Sequence, residues 1–360
     1  NLKGIEALPL KVNFSKYRYP GNDFIHFSDI HYHTHLTDDM VEFGAPFQPT
    51  LKAAESMNLH FVCSTDHSYD LDDKLGNWYE KDPDLVKWKK SRIEIQRLNL
   101  NSISCIVPSE EVTVSNNKGE NIHALILNNS KFIPGNGDGA KQFFKTKTEY
   151  TTDSINTQLS KESIYIAAHP FEEVPYSQKL LLNRGKWSFE ELKNKKIKGI
   201  QILNGSFDQT FFKSIQIWIK LLSFGLKKYI YAGNDAHGNF NYFRQIEVPM
   251  IKISQHRNQI LGKCRTGMIM KKGGIYGFLD CINSGRCYIT NGPMITLEVN
   301  HNGYVFEMGS TIKALKKSLK IKINIKVETS NEFGLISNIS LLIGKVNKYF
   351  KNNEIEYIKN

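Results

Sequence analysis

Two histidines two residues apart, His31 and His33, stand in the run FIHFSDIHYHTHLTD at residues 24–38. Phe24, Ile25, Phe27 and Ile30 are the apolar residues of a buried strand, and the ligand-type side chains follow at its carboxyl end. Side chains two apart share one face of a strand, so the two imidazoles project together and can chelate one cation; His35 is a third candidate. Later apolar runs end the same way. Collected from these ends, the candidates are His31, His33, Asp38, His67, Glu111, His123, His169, Asp235 and His237. Six imidazoles and three carboxylates exceed what a single ion needs, and the mixed nitrogen and oxygen set suits clustered divalent ions such as Mn, Zn or Fe.

The elements that must position these groups alternate. Helical patterns at Pro49–Met57, Asp84–Leu98, Ser188–Lys195 and Gln209–Phe224 separate apolar runs at His60–Ser64, Ile103–Val107, Ile122–Leu127, Ile164–Ala168, Gly199–Leu203 and Tyr229–Ala232. About seven strand–helix alternations predict an α/β barrel, a fold that carries its chemistry at the carboxyl ends of the strands. Residues 1–22 read as an irregular lead-in, 23–292 as the barrel, and Gly135–Gly139 as a surface loop within it. After a helix at Gly273–Ser284 and a strand at Arg286–Thr290 the texture changes. Ile295–Val299, Leu319–Val327 and Ile336–Ile343 alternate apolar and polar residues, so 293–360 is expected to form a small antiparallel, sandwich-like β domain.

The chain has 360 residues, 40% of them hydrophobic, and a formal net charge of +11. That charge suits an anionic substrate, but the lysines are scattered and no arginine stripe interleaved with aromatics appears, so nucleic acid is the weaker expectation. Five cysteines without metal-type pairing argue against a disulfide framework. No apolar run approaches the roughly 20 residues of a membrane span, so a soluble protein is expected, cytoplasmic or exported after loss of a signal peptide.

In order along the chain, Asp29-Ile30-His31-Tyr32-His33-Thr34 with Asp38, Thr65-Asp66-His67, Glu111-Val112-Thr113, His123, Ala168-His169-Pro170 and Asn234-Asp235-Ala236-His237 resemble the motifs of the polymerase and histidinol phosphatase (PHP) superfamily of metal-dependent phosphoesterases. Asp235–Gln245 and Gly285–Pro293 are similar to its carbaryl-hydrolase-like (CehA/McbA) branch. The resemblance implies a distorted (β/α)7 TIM-like barrel with three divalent ions. His31, His33, Glu111 and Asp235 would hold the first; Glu111, His123 and His169 the second; Asp38, His67 and His237 the third. Glu111 is preferred to Glu110 because the family's acid directly precedes a Val/Ile-Ser/Thr pair.

Hydroxide held between two cations is a strong nucleophile near neutral pH, and a third cation neutralises oxygens on the electrophile. The expected reaction is hydrolysis of a small phosphorylated substrate, with Glu111, Asp235 and His237 at the reacting centre. Arg244 and Arg286 are candidates for binding phosphoryl oxygens, and each also suits a structural ion pair. Asp66 is expected to orient a ligand from behind. The alternatives are a carbamate, carboxylic ester or amide hydrolase on the same site and, from a different class, a binding module whose metals are only structural.

Overall fold

The computed structural model describes residues 15–38, 42–139, 146–238, 245–248, 251–254, 259–312, 321–346 and 355–359. Nine strands form one nearly closed, barrel-like sheet: β1 (Ile25–Tyr32), β2 (Phe61–Ser64), β3 (Cys105–Ser115), β4 (Asn121–Leu127), β5 (Ile164–Ala167), β6 (Ile197–Asn204), β7 (Tyr229–Gly233), β8 (Arg265–Ile269) and β9 (Cys287–Thr290). Their order is β9-β8-β1-β2-β3-β4-β5-β6-β7, and β7 packs back against β1, β8 and β9. The protein is a mixed α/β barrel with further small sheets, as the alternating pattern predicts.

The detail differs from seven simple strand–helix repeats. β1, β2 and β3 run parallel, as do β5, β6 and β7, but β4 is antiparallel to both of its neighbours and β8 to both of its own. β3 is long enough to do two things: Cys105–Pro108 pairs with β2, and Ser109–Ser115 forms a hairpin with β4. Glu111 therefore lies within a strand rather than just past its end. An apolar run shows its burial but not its direction, which is why sequence alone does not reveal the hairpin.

Among the described residues the helices longer than one turn are α1 (Phe47–Ser56), α2 (Val86–Asn99), α3 (Tyr176–Leu182), α4 (Gln209–Ser223) and α5 (Gly274–Ser284). Asp208 caps α4, its Oδ1 accepting from Phe211 N at 3.0 Å, and Gly285 ends α5 at φ 71°, a left-handed conformation that glycine adopts without strain. The helix expected at Ser188–Lys195 contracts to a 3₁₀ turn at Glu191–Lys193.

Strand periodicity sorts side chains between two cores. On β4, Leu125 and Leu127 join Val107, Ile166, Tyr231 and, from α5, Phe278; Ile122, Ala124 and Ile126 join Val112, Val114, Ile200 and Leu221 on the other face. His123 shares parity with Leu125, and Glu111 with Val107.

Beyond the barrel, β10 (Met294–His301) pairs antiparallel with β11 (Tyr304–Glu307) and β12 (Lys322–Glu328), while β13 (Ser340–Gly344) pairs with β14 (Ile355–Lys359). Met294 and Ile295 pack against Tyr288 of the barrel, and Lys271 pairs with Glu307 at 3.1 Å. Residues 1–14 of the lead-in lie outside the described residues.

Candidate metal centre

Glu111 lies at the middle of the cluster. Its Oε2 is 3.3 Å from both His31 Nε2 and His33 Nε2 and 3.2 Å from His67 Nδ1; its Oε1 is 2.7 Å from His123 Nδ1 and 3.3 Å from His169 Nε2. The neighbouring Glu110 has the opposite parity. It points outward, accepting from Trp88 Nε1 at 2.7 Å and Arg92 Nη2 at 2.8 Å on α2. Asp235, at a left-handed φ of 49° just past β7, puts Oδ1 3.0 Å from His33 Nε2 and 3.3 Å from His31 Nε2. His169 also has positive φ, 23°, so two members of the cluster sit on strained backbone, a feature that concentrates at functional sites.

Four of the inward-facing imidazoles have their other nitrogen tied from behind. Gln201 Oε1 holds His31 Nδ1 at 2.8 Å, Thr37 Oγ1 lies 3.2 Å from His33 Nδ1, Asp138 Oδ2 holds His123 Nε2 at 2.8 Å, and Glu172 is 3.3 Å from His169 Nδ1. Such outer partners fix ring orientation and raise ligand basicity. Asp66 works one step further back. It accepts from the backbone and hydroxyl groups of Thr34 and Thr37, and so orders the turn that carries Thr37 to His33.

Ligand atoms within 4.8 Å of one another form four groups: His31, His33, Glu111 and Asp235; His67, Glu111 and His123; His33, His67 and His237; and His169, Glu172 and Asp235. The first group has the same four members expected for the first ion. His169 falls with Glu172 and Asp235 rather than with His123, although Glu111 touches both histidines. Asp38 is exposed and belongs to none of the four groups; Glu42 approaches His67 Nε2 at 3.0 Å and His237 Nε2 at 3.6 Å instead. His35 stands edge-on to Phe47, outside the groups. Arg244 lies outside the described residues. Arg286 pairs with Asp280 at 2.5 Å, as a structural residue would, and does not line the cleft.

The electrostatics fit cations. Burial alone would protonate Glu111 and Asp235, yet the surrounding imidazoles hold both well below the usual carboxylate range. Burial would discharge His31, but Glu111 and Asp235 raise it to about 9; His33, buried between His237 and His67, falls to about 4. Glu111 Oε2, His67 Nδ1 and His123 Nδ1 are buried and close together without satisfying hydrogen-bond geometry, the disposition of lone pairs turned to a common centre. Donors bound to one ion at about 2.0–2.1 Å lie about 3.3 Å apart in a tetrahedral site. The His31, His33, Glu111 and Asp235 separations of 3.0–3.3 Å agree.

The cluster floors a cleft of about 380 Å³, whose walls include Tyr69, Pro170, Glu173, Gln178 and Arg184. The segment at 135–139, expected on the surface, is largely buried against it because Asp138 faces His123. Glu42, Asp138, Glu172, Arg184 and Gln201 carry no motif of their own and are reached only through the fold.

Fold and site together define a mixed α/β barrel with a buried histidine–carboxylate cluster of metal-ligand type at one end. No family model and no curated protein matches the chain. Among solved structures it is similar to PsfC from Pseudomonas syringae, with 13% identity and a TM-score of 0.41 over 69% of this chain and 84% of that one. It is also similar to a two-domain protein from Bacteroides vulgatus described as containing a predicted PHP-like metal-dependent phosphoesterase, with 11% identity and a TM-score of 0.44 over 97% and 100%. A third is the lesion-specific endonuclease EndoQ from Pyrococcus furiosus, with 14% identity and a TM-score of 0.39 over 74% of this chain; the chain spans 57% of that protein.

Proposed function

We propose that this chain is a PHP-type metal-dependent hydrolase of phosphate esters, and the observation that supports it best is the Glu111 carboxylate placed between two sets of imidazoles. His31, His33, Glu111 and Asp235 would hold one divalent ion; Glu111, His123 and His169, with His67 beside them, a second; and His67 and His237 a third, with Glu42 in place of the exposed Asp38. Bound Mn, Zn or Fe would supply Lewis acidity and lower the pKa of water. The chain's own residues do the rest. Glu111, buried and ionised, fixes the spacing of the two sets. Asp235, the more exposed of the two acids in the first group, faces the cleft and orients what enters it.

A panel of aryl phosphate monoesters, phosphodiesters, carboxylic esters and carbamates, assayed with protein purified without chelator, tests the assignment. Turnover is expected on the phosphates. Turnover confined to esters or carbamates transfers the site to the carbonyl alternative, which uses the same ligands.

A further inference from the structure

Arg184 is the one lysine or arginine among the described residues that line the cleft, where carboxylates otherwise dominate. It belongs to no motif and sits in the strap that follows α3. The strap is built onto β4: Asn121 N donates to Asn183 O at 2.8 Å, Gly185 N to Asn121 O at 2.8 Å, and Asn121 Nδ2 to Leu182 O at 2.8 Å. Asn183 turns the chain there with φ 51°. Gly185 is pressed against Glu120, where an added Cβ would meet the Glu120 side chain at 2.5 Å. The same Asn121 amide donates to Gly137 O at 2.9 Å, so one residue of β4 sets both the Arg184 strap and the loop that carries Asp138.

Asp138 joins these pieces. Its Oδ1 accepts from Thr113 Oγ1 at 2.6 Å; its Oδ2 takes His123 Nε2 at 2.8 Å and also contacts Arg184 Nη1. Arg184 is thereby fixed beside the cluster. A purely structural ion pair would satisfy the rest of the guanidinium, because a buried donor without a partner is costly. Here Arg184 Nε is buried without a hydrogen-bond partner, while the side chain keeps 16% of its surface open on the cleft. Arginine stays charged at all working pH values and offers planar paired donors that match phosphoryl oxygens.

We infer that Arg184 is the residue that binds the non-bridging oxygens of the substrate's phosphoryl group, and that Asp138 is a positioning residue that aims it while orienting His123. This rests on the phosphoesterase reading above. It also assigns the oxygen-binding role that sequence placed on Arg244 to a residue with no sequence signal.

The experiment uses metal-loaded full chains of the parent, Arg184→Gln, Arg184→Lys, Asp138→Asn and the Asp138→Asn/Arg184→Gln double variant. It measures kcat and KM on an aryl phosphate, inhibition by inorganic phosphate, metal content and thermal midpoint. Arg184→Gln is expected to weaken phosphate inhibition and raise KM by tenfold or more, the loss of one charge-assisted hydrogen bond, with metal content and midpoint held. Arg184→Lys should recover part of that loss. In the double variant Asp138→Asn should add nothing further to KM, since it acts there through Arg184. Parent-like KM and phosphate inhibition in Arg184→Gln, at full metal content, overturn the assignment while leaving the phosphoesterase reading intact. A parent that neither hydrolyses aryl phosphate nor is inhibited by phosphate overturns both. Should Arg184→Gln fold poorly, Arg184→Lys decides on the same two readouts.

Discussion

Glu111 touches five histidines, and no conservative replacement can do the same. Gln keeps the shape and loses the charge, so Glu111→Gln should remove metal from both sets of ligands at once and lower kcat/KM by more than about 100-fold, the upper end for residues that merely support a ligand. Elemental analysis alongside kinetics checks this; full metal content with near-parental activity would place the ions elsewhere. At this scale the sequence is informative where chemistry is concentrated. His31, His33, Glu111 and Asp235 stand in motifs and meet in space. The choice of Glu111 over Glu110, made by resemblance, has a physical counterpart in strand parity, which sends Glu110 out to Arg92. What could not be read is equally specific. Asp38 and Glu42 are both acids in the chain that follows His33, and only the fold decides which approaches His67. Asp138 sits in a glycine-rich segment whose composition resembles any surface loop, and nothing in its neighbours signals a partner 15 residues away in β4.

At the scale of elements, the site depends on how closely the end of β7 approaches β1. An added Cβ at Gly233 would stand 2.6 Å from His31 Cβ and 2.8 Å from His31 N, with Gln201 Nε2 at 3.2 Å. Behind this contact, buried Asp29 accepts from Asn234 Nδ2 at 2.6 Å, Gly262 N at 3.0 Å and His31 N at 3.2 Å, which latches the two strand ends together. Gly233→Ala should therefore cost about 1–3 kcal/mol of stability, the usual range for overpacking a tight site, and reduce metal content by displacing His31. Denaturant unfolding of the metal-free variant separates the two effects; unchanged stability and unchanged metal would show that the strand ends have room to part. The alternation of apolar runs and helices made the barrel legible, because burial on both faces writes itself into strand composition. Strand direction did not follow. The β3–β4 hairpin and the antiparallel β8 and β9 need knowledge of which ends meet, and that is long-range information.

For the whole molecule, the sheet that gathers the ligands is also the fold's main core, so site and stability are coupled. Like groups converge on a buried floor, and cations bound there stabilise the folded chain by mass action, about 2.7 kcal/mol for each ion present at 100 times its dissociation constant. The β10–β12 sheet is attached through Lys271 to Glu307, Lys227 to Gly309 O at 2.5 Å, and the Gly21 amide to Glu328 at 3.1 Å. Among the described residues, none of β10–β14 lines the cleft. Among the described residues no helix is long and apolar enough to cross a membrane. The net charge of +11 favours an anionic substrate at the level of encounter rather than contact. The most direct test of the account is elemental mass spectrometry on protein purified without chelator, followed by chelation and add-back with thermal midpoint and aryl phosphate hydrolysis as readouts. Close to three transition ions per chain, a lower midpoint and lost hydrolysis after chelation, and recovery of both on add-back are expected; a chain that purifies without transition metal and whose midpoint ignores both chelator and added Mn, Zn or Fe would rule out a metal centre at Glu111.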